Sequence, residues 1–138
     1  MPSEHTDVTM ATGAIHNPAE PRHFMKLVPV RGRAKVMLPD GAILANSTDA
    51  YFVIEIGRDF YPPVVYFPRS DVVVELVPSD KSTHCPLKGD ASYFSVREAG
   101  QSGQNMVWAY EQPIPGAEAL ADLVAFYQDR CAIQLEPA

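Results

Sequence analysis

Proline and glycine interrupt this chain so often that no long helix can run through it. Thirteen prolines and eight glycines are spread over 138 residues. An interior proline removes a backbone donor and clashes with the preceding turn, so it cuts a helix short. Between the interruptions lie short runs of β-branched and aromatic residues, the types that fit a pleated strand. Residues 51–56 (Tyr51, Phe52, Val53, Ile54, Glu55, Ile56) form the strongest of these runs. Others are expected at 26–28, 34–38, 42–45, 64–67, 72–77, 91–96, 105–110 and 131–135.

The breaks between the runs have turn chemistry. In Pro39-Asp40-Gly41 the proline presets φ, the aspartate bonds back to the backbone and the glycine accepts positive φ, which predicts a hairpin over 36–45. Residues 46–49 form a second turn. Pro68-Arg69-Ser70-Asp71 predicts a break with one helical turn, and Pro78-Ser79-Asp80 ends the run at 72–77. Residues 100–103 read as a loose loop. Residues 117–130 fit either a helix, through Leu120, Leu123, Val124 and Tyr127, or a strand centred on 124–127. The pattern predicts a single mainly β domain, a small sandwich or partly open barrel with one or two short helical turns. Residues 1–22 read as a flexible lead-in and 23–138 as the domain.

A chain of this length buries a core without disulfides or a structural metal. Its net charge of −6 and pI of about 5.1 repel a phosphate backbone, so no nucleic-acid partner is expected. No run approaches the roughly 20 apolar residues of a membrane span, and the first residues lack the basic head and apolar run of a signal peptide. Two cysteines, Cys85 and Cys131, give little reason for an oxidising compartment, and the expected setting is the reducing cytoplasm.

Four ordered blocks carry a resemblance. They are Tyr61-Pro62-Pro63-Val64-Val65-Tyr66-Phe67-Pro68-Arg69-Ser70-Asp71-Val72, Thr83-His84-Cys85-Pro86-Leu87-Lys88-Gly89-Asp90-Ala91-Ser92-Tyr93-Phe94, Trp108-Ala109-Tyr110-Glu111-Gln112-Pro113 and Val124-Ala125-Phe126-Tyr127. In this order and spacing the chain resembles the family known as domain of unknown function 427, over roughly residues 26 to 135. The resemblance implies a compact β-tent, or Mss4-like, fold. The family sometimes carries a nucleotidyltransferase label. Metal-dependent nucleotidyl transfer needs clustered carboxylates and a phosphate-holding turn, and the sequence has neither an Asp-x-Asp pair nor a Gly-rich phosphate loop. It also lacks the paired Cys-x-x-Cys knuckles of structural zinc, so no metal and no cofactor are expected.

The second block holds the sharpest chemistry. Cys85 becomes a nucleophile if positive charge stabilises its thiolate, and Lys88 lies three residues on, with His84 adjacent as a base. The ordinary alternative is a buried thiol in a loop-shaping turn. Lys88 beside Gly89 is also suited to hold an anion. Arg69 offers a two-point grip on an anion, or a structural ion pair. Tyr66, Thr83, Trp108 and Tyr110 complete the expected ligand wall, although aromatic side chains equally fill cores. Strand alternation puts Trp108 and Tyr110 on one face. Glu55 is an acid or base candidate if it points inward, but outward is the favoured orientation between Ile54 and Ile56. His5, His16 and His23 are too dispersed for a metal site. The functional expectation is a pocket for an anionic small molecule bordered by residues 83–89, Tyr66, Arg69 and Trp108. A transferase-type enzyme using Cys85 and a structural module that self-associates through strand edges are the alternatives.

Overall fold

The computed structural model describes residues 12–138. Among them are eleven strands: β1 (Ile15–Asn17), β2 (Glu20–Pro29), β3 (Arg33–Met37), β4 (Ile43–Ser47), β5 (Tyr51–Ile56), β6 (Val64–Pro68), β7 (Val77–Cys85), β8 (Gly89–Ser95), β9 (Val107–Ala109), β10 (Leu123–Phe126) and β11 (Ala132–Glu136). Eight of them form one antiparallel sheet in the order β1-β2-β5-β6-β10-β9-β8-β7, curled into a half-barrel. The other three form a small sheet, β11-β3-β4. The mainly β, partly open barrel expected from the sequence is what forms. Its helical content among the described residues is three short 3-10 segments, Arg69–Asp71, Arg97–Gly103 and Glu118–Leu120. No helix of the described residues is long and apolar enough to cross a membrane.

Alternation along the strands of the large sheet divides its side chains between two cores. Phe52, Val65, Phe67, Val107, Val124 and Phe126 enter one, which also takes the small sheet through Ala34, Val36 and Leu44. Tyr51, Val53, Val64, Tyr66, Trp108, Leu123 and Ala125 enter the other. The connection from β9 to β10 lies over this second core and buries Ala117 and Leu120 in it. Strands β5, β6, β8, β9 and β10 thus contribute to both cores, which is why their apolar runs are nearly continuous.

Five local expectations change, the first at residues 100–103, which read as a loose loop and instead end the 3-10 segment Arg97–Gly103. Residues 72–76 are not a strand of either sheet. Val72, Val74 and Leu76 pack against the first core, and the backbone makes only a bridge from Val72 to Ala45 and a bond from Val73 N–H to Leu44 C=O. Burial along one side, rather than a ladder, explains the β-branched run. Pro78-Ser79-Asp80 does not end a strand but lies within β7. β7 is the last strand of the large sheet, so the missing N–H of Pro78 costs no ladder bond on its open side. Residues 117–130 supply both a 3-10 turn, Glu118–Leu120, and strand β10. The lead-in expected up to residue 22 contains β1 and the start of β2, whose pairing is irregular between His16 and Asn17. Pro18 and Pro21 gave that segment its loop-like reading, and an irregular strand pair tolerates them. Residues 1–11 of the expected lead-in, including His5, lie outside the described residues.

Candidate functional site

The β7–β8 hairpin carries the turn Cys85-Pro86-Leu87-Lys88. Lys88 N–H donates to Cys85 C=O at 3.2 Å, and Pro86 occupies the first central position that its fixed φ favours. Leu87 is fully buried in the second core and pins the turn down onto it. Gly89 follows with φ +119, a value that side chains rarely adopt. A Cβ there would stand 3.2 Å from Ile114 N and 3.3 Å from Pro113 Cα, so the β9–β10 connection can press against the hairpin only over glycine. Ile114 N–H then donates to Lys88 C=O at 3.0 Å.

So anchored, Lys88 turns its ammonium inward. It is 7% exposed and donates to Glu55 Oε1 in an ion pair. β6, β10 and β9 separate β5 from β8 in the sheet, so a flat sheet would hold those strands roughly 19 Å apart. The contact between Lys88 and Glu55 therefore requires the curl of the sheet over this face. Burial pushes the Glu55 carboxyl up, but the hydrogen bonds from Lys88 and His23 and the charge of Lys88 outweigh it and hold the group below the usual carboxylate range. Burial likewise pushes the Lys88 ammonium down, and the hydrogen bond and charge of Glu55 reverse this and raise it.

The second carboxylate oxygen of Glu55 accepts from His23 Nε2 at 2.8 Å. His23 Nδ1 in turn lies 3.2 Å from Asn17 Nδ2. Asn17 is buried, and its Oδ1 accepts from Ala19 N–H at 3.0 Å, which fixes the amide with its NH2 toward the imidazole. Nδ1 is thus the acceptor and Nε2 carries the proton. The chain Asn17–His23–Glu55–Lys88 runs from β1 through β2 and β5 to the β7–β8 turn, with both imidazole nitrogens engaged. Nitrogen-15 NMR of the imidazole at neutral pH should report the Nε2–H tautomer, and Asn17→Ala should mix the two tautomers. A dominant Nδ1–H form in the parent protein is incompatible with this chain.

Aromatic side chains surround the ion pair. Trp108 Nε1 donates to Tyr66 OH at 3.1 Å, and the two rings meet edge to face with centroids 6.2 Å apart. Trp108 also packs on Tyr127, with centroids 4.8 Å apart. The Lys88 ammonium lies 5.8 Å from the Tyr110 ring centroid. Thr83 Oγ1 and Tyr93 OH share a hydrogen bond of 3.0 Å. Burial raises the phenols of Tyr66 and Tyr110 well above the usual tyrosine value, so both remain neutral donors.

Of the residues expected to form the site, the structure brings Tyr66, Thr83, Cys85, Lys88, Trp108 and Tyr110 to one face, with Gly89 shaping the turn. It separates two. His84 alternates away from Thr83 and Cys85, is exposed, and pairs across the hairpin with Asp90 at 2.8 Å. Arg69 lies three residues beyond Tyr66, on the other face. Its guanidinium stacks over Phe94 of the first core and pairs with Glu111 at 2.8 Å. Asp71 accepts from Ser47 Oγ at 2.6 Å on the small-sheet side.

One member differs from its sequence expectation, and a second is not among the expected site residues. Glu55 points inward, not outward: it follows Tyr51 and Val53 in parity, and Ile56 is the exposed neighbour. His23, considered in the sequence only for a metal site, is a partner of Glu55. The signal available was the parity of residues 51, 53 and 55. Cys85 is half-buried on the site face. The one nearby ammonium is already neutralised by Glu55, and His84 faces elsewhere, so neither of its expected activating partners serves it. Among the described residues no three His, Cys, Asp or Glu side chains converge on a point where a metal ion could sit.

Beside His23 opens a cavity of about 600 Å³. Its walls are Glu20, Arg22 and His23 from β2, Gly57, Arg58 and Tyr61 from the β5–β6 connection, and Pro86 from the hairpin turn. The cavity therefore lies between strands that meet because the sheet curls, with the Glu55–Lys88 pair behind its His23 wall. A second depression of about 420 Å³, between Val28–Val30, Phe52 and 135–137, is mainly apolar and lacks such a set of converging polar groups.

A family model described as Domain of unknown function (DUF427) matches residues 26–136, most of the chain. No curated protein matches it.

Proposed function

We propose, from the premise that the chain belongs to the family described as domain of unknown function 427, that it is a small-molecule-binding domain whose ligand occupies the cavity beside His23. The observation that carries this reading is a cavity of about 600 Å³ with a preorganised wall. Its volume is within the range of small-molecule sites, roughly 300–1,000 Å³. One of its polar wall residues, His23, is fixed in orientation by Glu55 and Asn17, so a ligand meets there a surface whose ordering cost is already met by folding.

Binding is favoured over catalysis by the same contacts. A general acid or base needs a nitrogen or oxygen free to reach the reacting proton. Both nitrogens of His23 are occupied, and Lys88 and Glu55 face each other. The transferase reading through Cys85 ranks second, supported by its place on the shared face and weakened by its lack of an unpaired cation. The proposal includes the reducing cytoplasm as setting, in keeping with two free thiols.

The test uses the full chain labelled with nitrogen-15 and a library of small aromatic and aliphatic fragments. Binders are expected to shift the amides of Gly57, Arg58 and Tyr61. A Gly57→Val variant is expected to weaken them about tenfold, roughly 1.4 kcal/mol. A Cβ at position 57 would press on two of the cavity's own walls, His23 Cδ2 at 3.2 Å and Tyr61 Cε2 at 3.3 Å, so the variant crowds the site from its side-chain lining. Fragments that bind only elsewhere, or equally well to the variant, would overturn the assignment.

A further inference from the structure

Trp108 belongs to a row of side chains that crosses the large sheet on the side of the second core. Tyr66 of β6 is in register with Ala125 of β10, and Ala125 with Trp108 of β9. The small Ala125 side chain leaves the indole room to reach across β10, which lets Trp108 Nε1 donate to Tyr66 OH at 3.1 Å. Tyr110, two residues beyond Trp108, enters the same core. Lys88 comes down beside it from the hairpin turn, with its ammonium 5.8 Å from the Tyr110 ring centroid.

Donors outnumber acceptors in this group. An indole N–H only donates, so the Tyr66 oxygen accepts the Trp108 bond and the Tyr66 proton is left for another partner. Among the described residues no group accepts that proton, and none bonds to the Tyr110 hydroxyl. The neighbouring polar groups are already engaged. Thr83 and Tyr93 share one hydrogen bond, and the two oxygens of Glu55 are taken by Lys88 and His23. Both phenols are nearly enclosed, Tyr66 at 2% and Tyr110 at 8% exposed. A phenol proton without a partner is unfavourable in such surroundings. Burial raises both phenols, so neither sheds its proton to escape the shortage. Tyr66, Lys88 and Cys85 all act electrostatically on the Tyr110 phenol, which places the two hydroxyls, the ammonium and the thiol in one neighbourhood.

The group carries no net charge, because Lys88 and Glu55 cancel. A charged ligand would lose its hydration there with no uncompensated charge to attract it. A neutral carbonyl oxygen fits better, since its two lone pairs match the two phenol protons. Trp108 and Cys85 are the partly exposed members of the group, so the approach from solvent lies on their side.

We propose that Tyr66 and Tyr110 form a binding site for the carbonyl oxygen of a small uncharged molecule, such as a lactam, amide or ester. This site is separate from the cavity beside His23 and does not depend on what occupies it.

Trp108 is the only tryptophan of the chain, so its indole N–H gives a single NMR signal that reports on the site. When Tyr66 donates to a ligand its oxygen becomes a stronger acceptor, and the indole proton should move downfield. The test titrates the full chain with γ-butyrolactam, with methylenecyclopentane, which has a similar ring and no oxygen, and with cyclopentanecarboxylate. The lactam is expected to bind at least about tenfold more tightly than either of the others. Tyr110→Phe should weaken the lactam about tenfold. Without ligand, the same variant should leave the urea midpoint unchanged or raised, because it removes a donor that has no partner. A lowered midpoint would show that the hydroxyl is bonded within the protein, and the site would be rejected. An indole signal that the lactam does not move rejects it too. Equal binding of methylenecyclopentane would make recognition a matter of shape, and tighter binding of the carboxylate would mean that charge is read. Either result overturns the carbonyl assignment. The cavity beside His23 is judged separately, by the amides of Gly57, Arg58 and Tyr61.

Discussion

Lys88→Met should lower stability by about 2–4 kcal/mol, seen as a fall of roughly 10–15 °C in melting temperature for a chain of this size. The loss comes less from the missing attraction than from what is left behind. Glu55, 18% exposed in its side chain, keeps its charge and retains only His23 as partner. Removing one member of a buried pair costs about 3–5 kcal/mol when water is fully excluded, and partial access by water trims that figure. The double variant Lys88→Met/Glu55→Gln should recover more than half of the loss, because no uncompensated charge remains. A single variant within about 1 kcal/mol of the parent would mean that the pair is solvated and does not hold the sheet ends together.

The same pair sets a pH window. The Glu55 carboxyl is lowered on folding, so its contribution is present above the ordinary value of 4.5 and is lost as pH falls through the lower folded value. The Lys88 ammonium is raised, so its contribution is complete below the ordinary value of 10.5 and is lost as pH rises through the higher folded value. Urea midpoints of the parent should therefore be flat with respect to this pair between those two ordinary values. In the double variant the acid limb below pH 4.5 should be shallower.

Leu87→Ala should cost about 2–5 kcal/mol, the range for a fully enclosed leucine, by lost transfer energy and by the void left beneath the turn. Leu87 is 0% exposed although it sits at the tip of a hairpin, a place where side chains are ordinarily wet. Its burial is what brings Lys88 down to Glu55. Urea unfolding at neutral pH measures the loss. A cost below about 1 kcal/mol would show that the turn is held by its backbone bonds alone.

The contrast between these two residues shows how far the sequence could be read. Strand β5 was legible residue for residue because Tyr51 to Ile56 lie between clear turn signals. The Pro39-Asp40-Gly41 hairpin was legible for the same reason, since turn chemistry is local. Which side of each strand faces the site was not. That depends on pairings such as β6 with β10 and β10 with β9, between segments distant in the chain. Parity within one strand was available, and it already separates His84 from Cys85. Arg69 was grouped with Tyr66 because they share a recognised block, but three residues of spacing on an extended chain point them to opposite sides. Glu55 was misread because its sequence neighbours Ile54 and Ile56 are apolar. In a strand the neighbours on the same face are two residues away, and those are Val53 and, beyond it, Tyr51. His23 was hidden by Pro18 and Pro21, which made the irregular β1–β2 pairing look like loop.

The small sheet has a consequence for how the chain reaches this state. Its β3–β4 half is a local hairpin that forms early, on the microsecond scale of such units. Its third strand, β11, arrives roughly one hundred residues later, where Leu135 meets Ala34 and Ile133 meets Val36. Until then the hairpin shows an open edge, and Ala34 and Val36, both 0% exposed in the finished fold, have one flank uncovered. A nascent or truncated chain ending before residue 132 would carry that edge as a template for intermolecular pairing. The sheet farthest from the ligand cavity is thus the part of the molecule on which its solubility during synthesis depends.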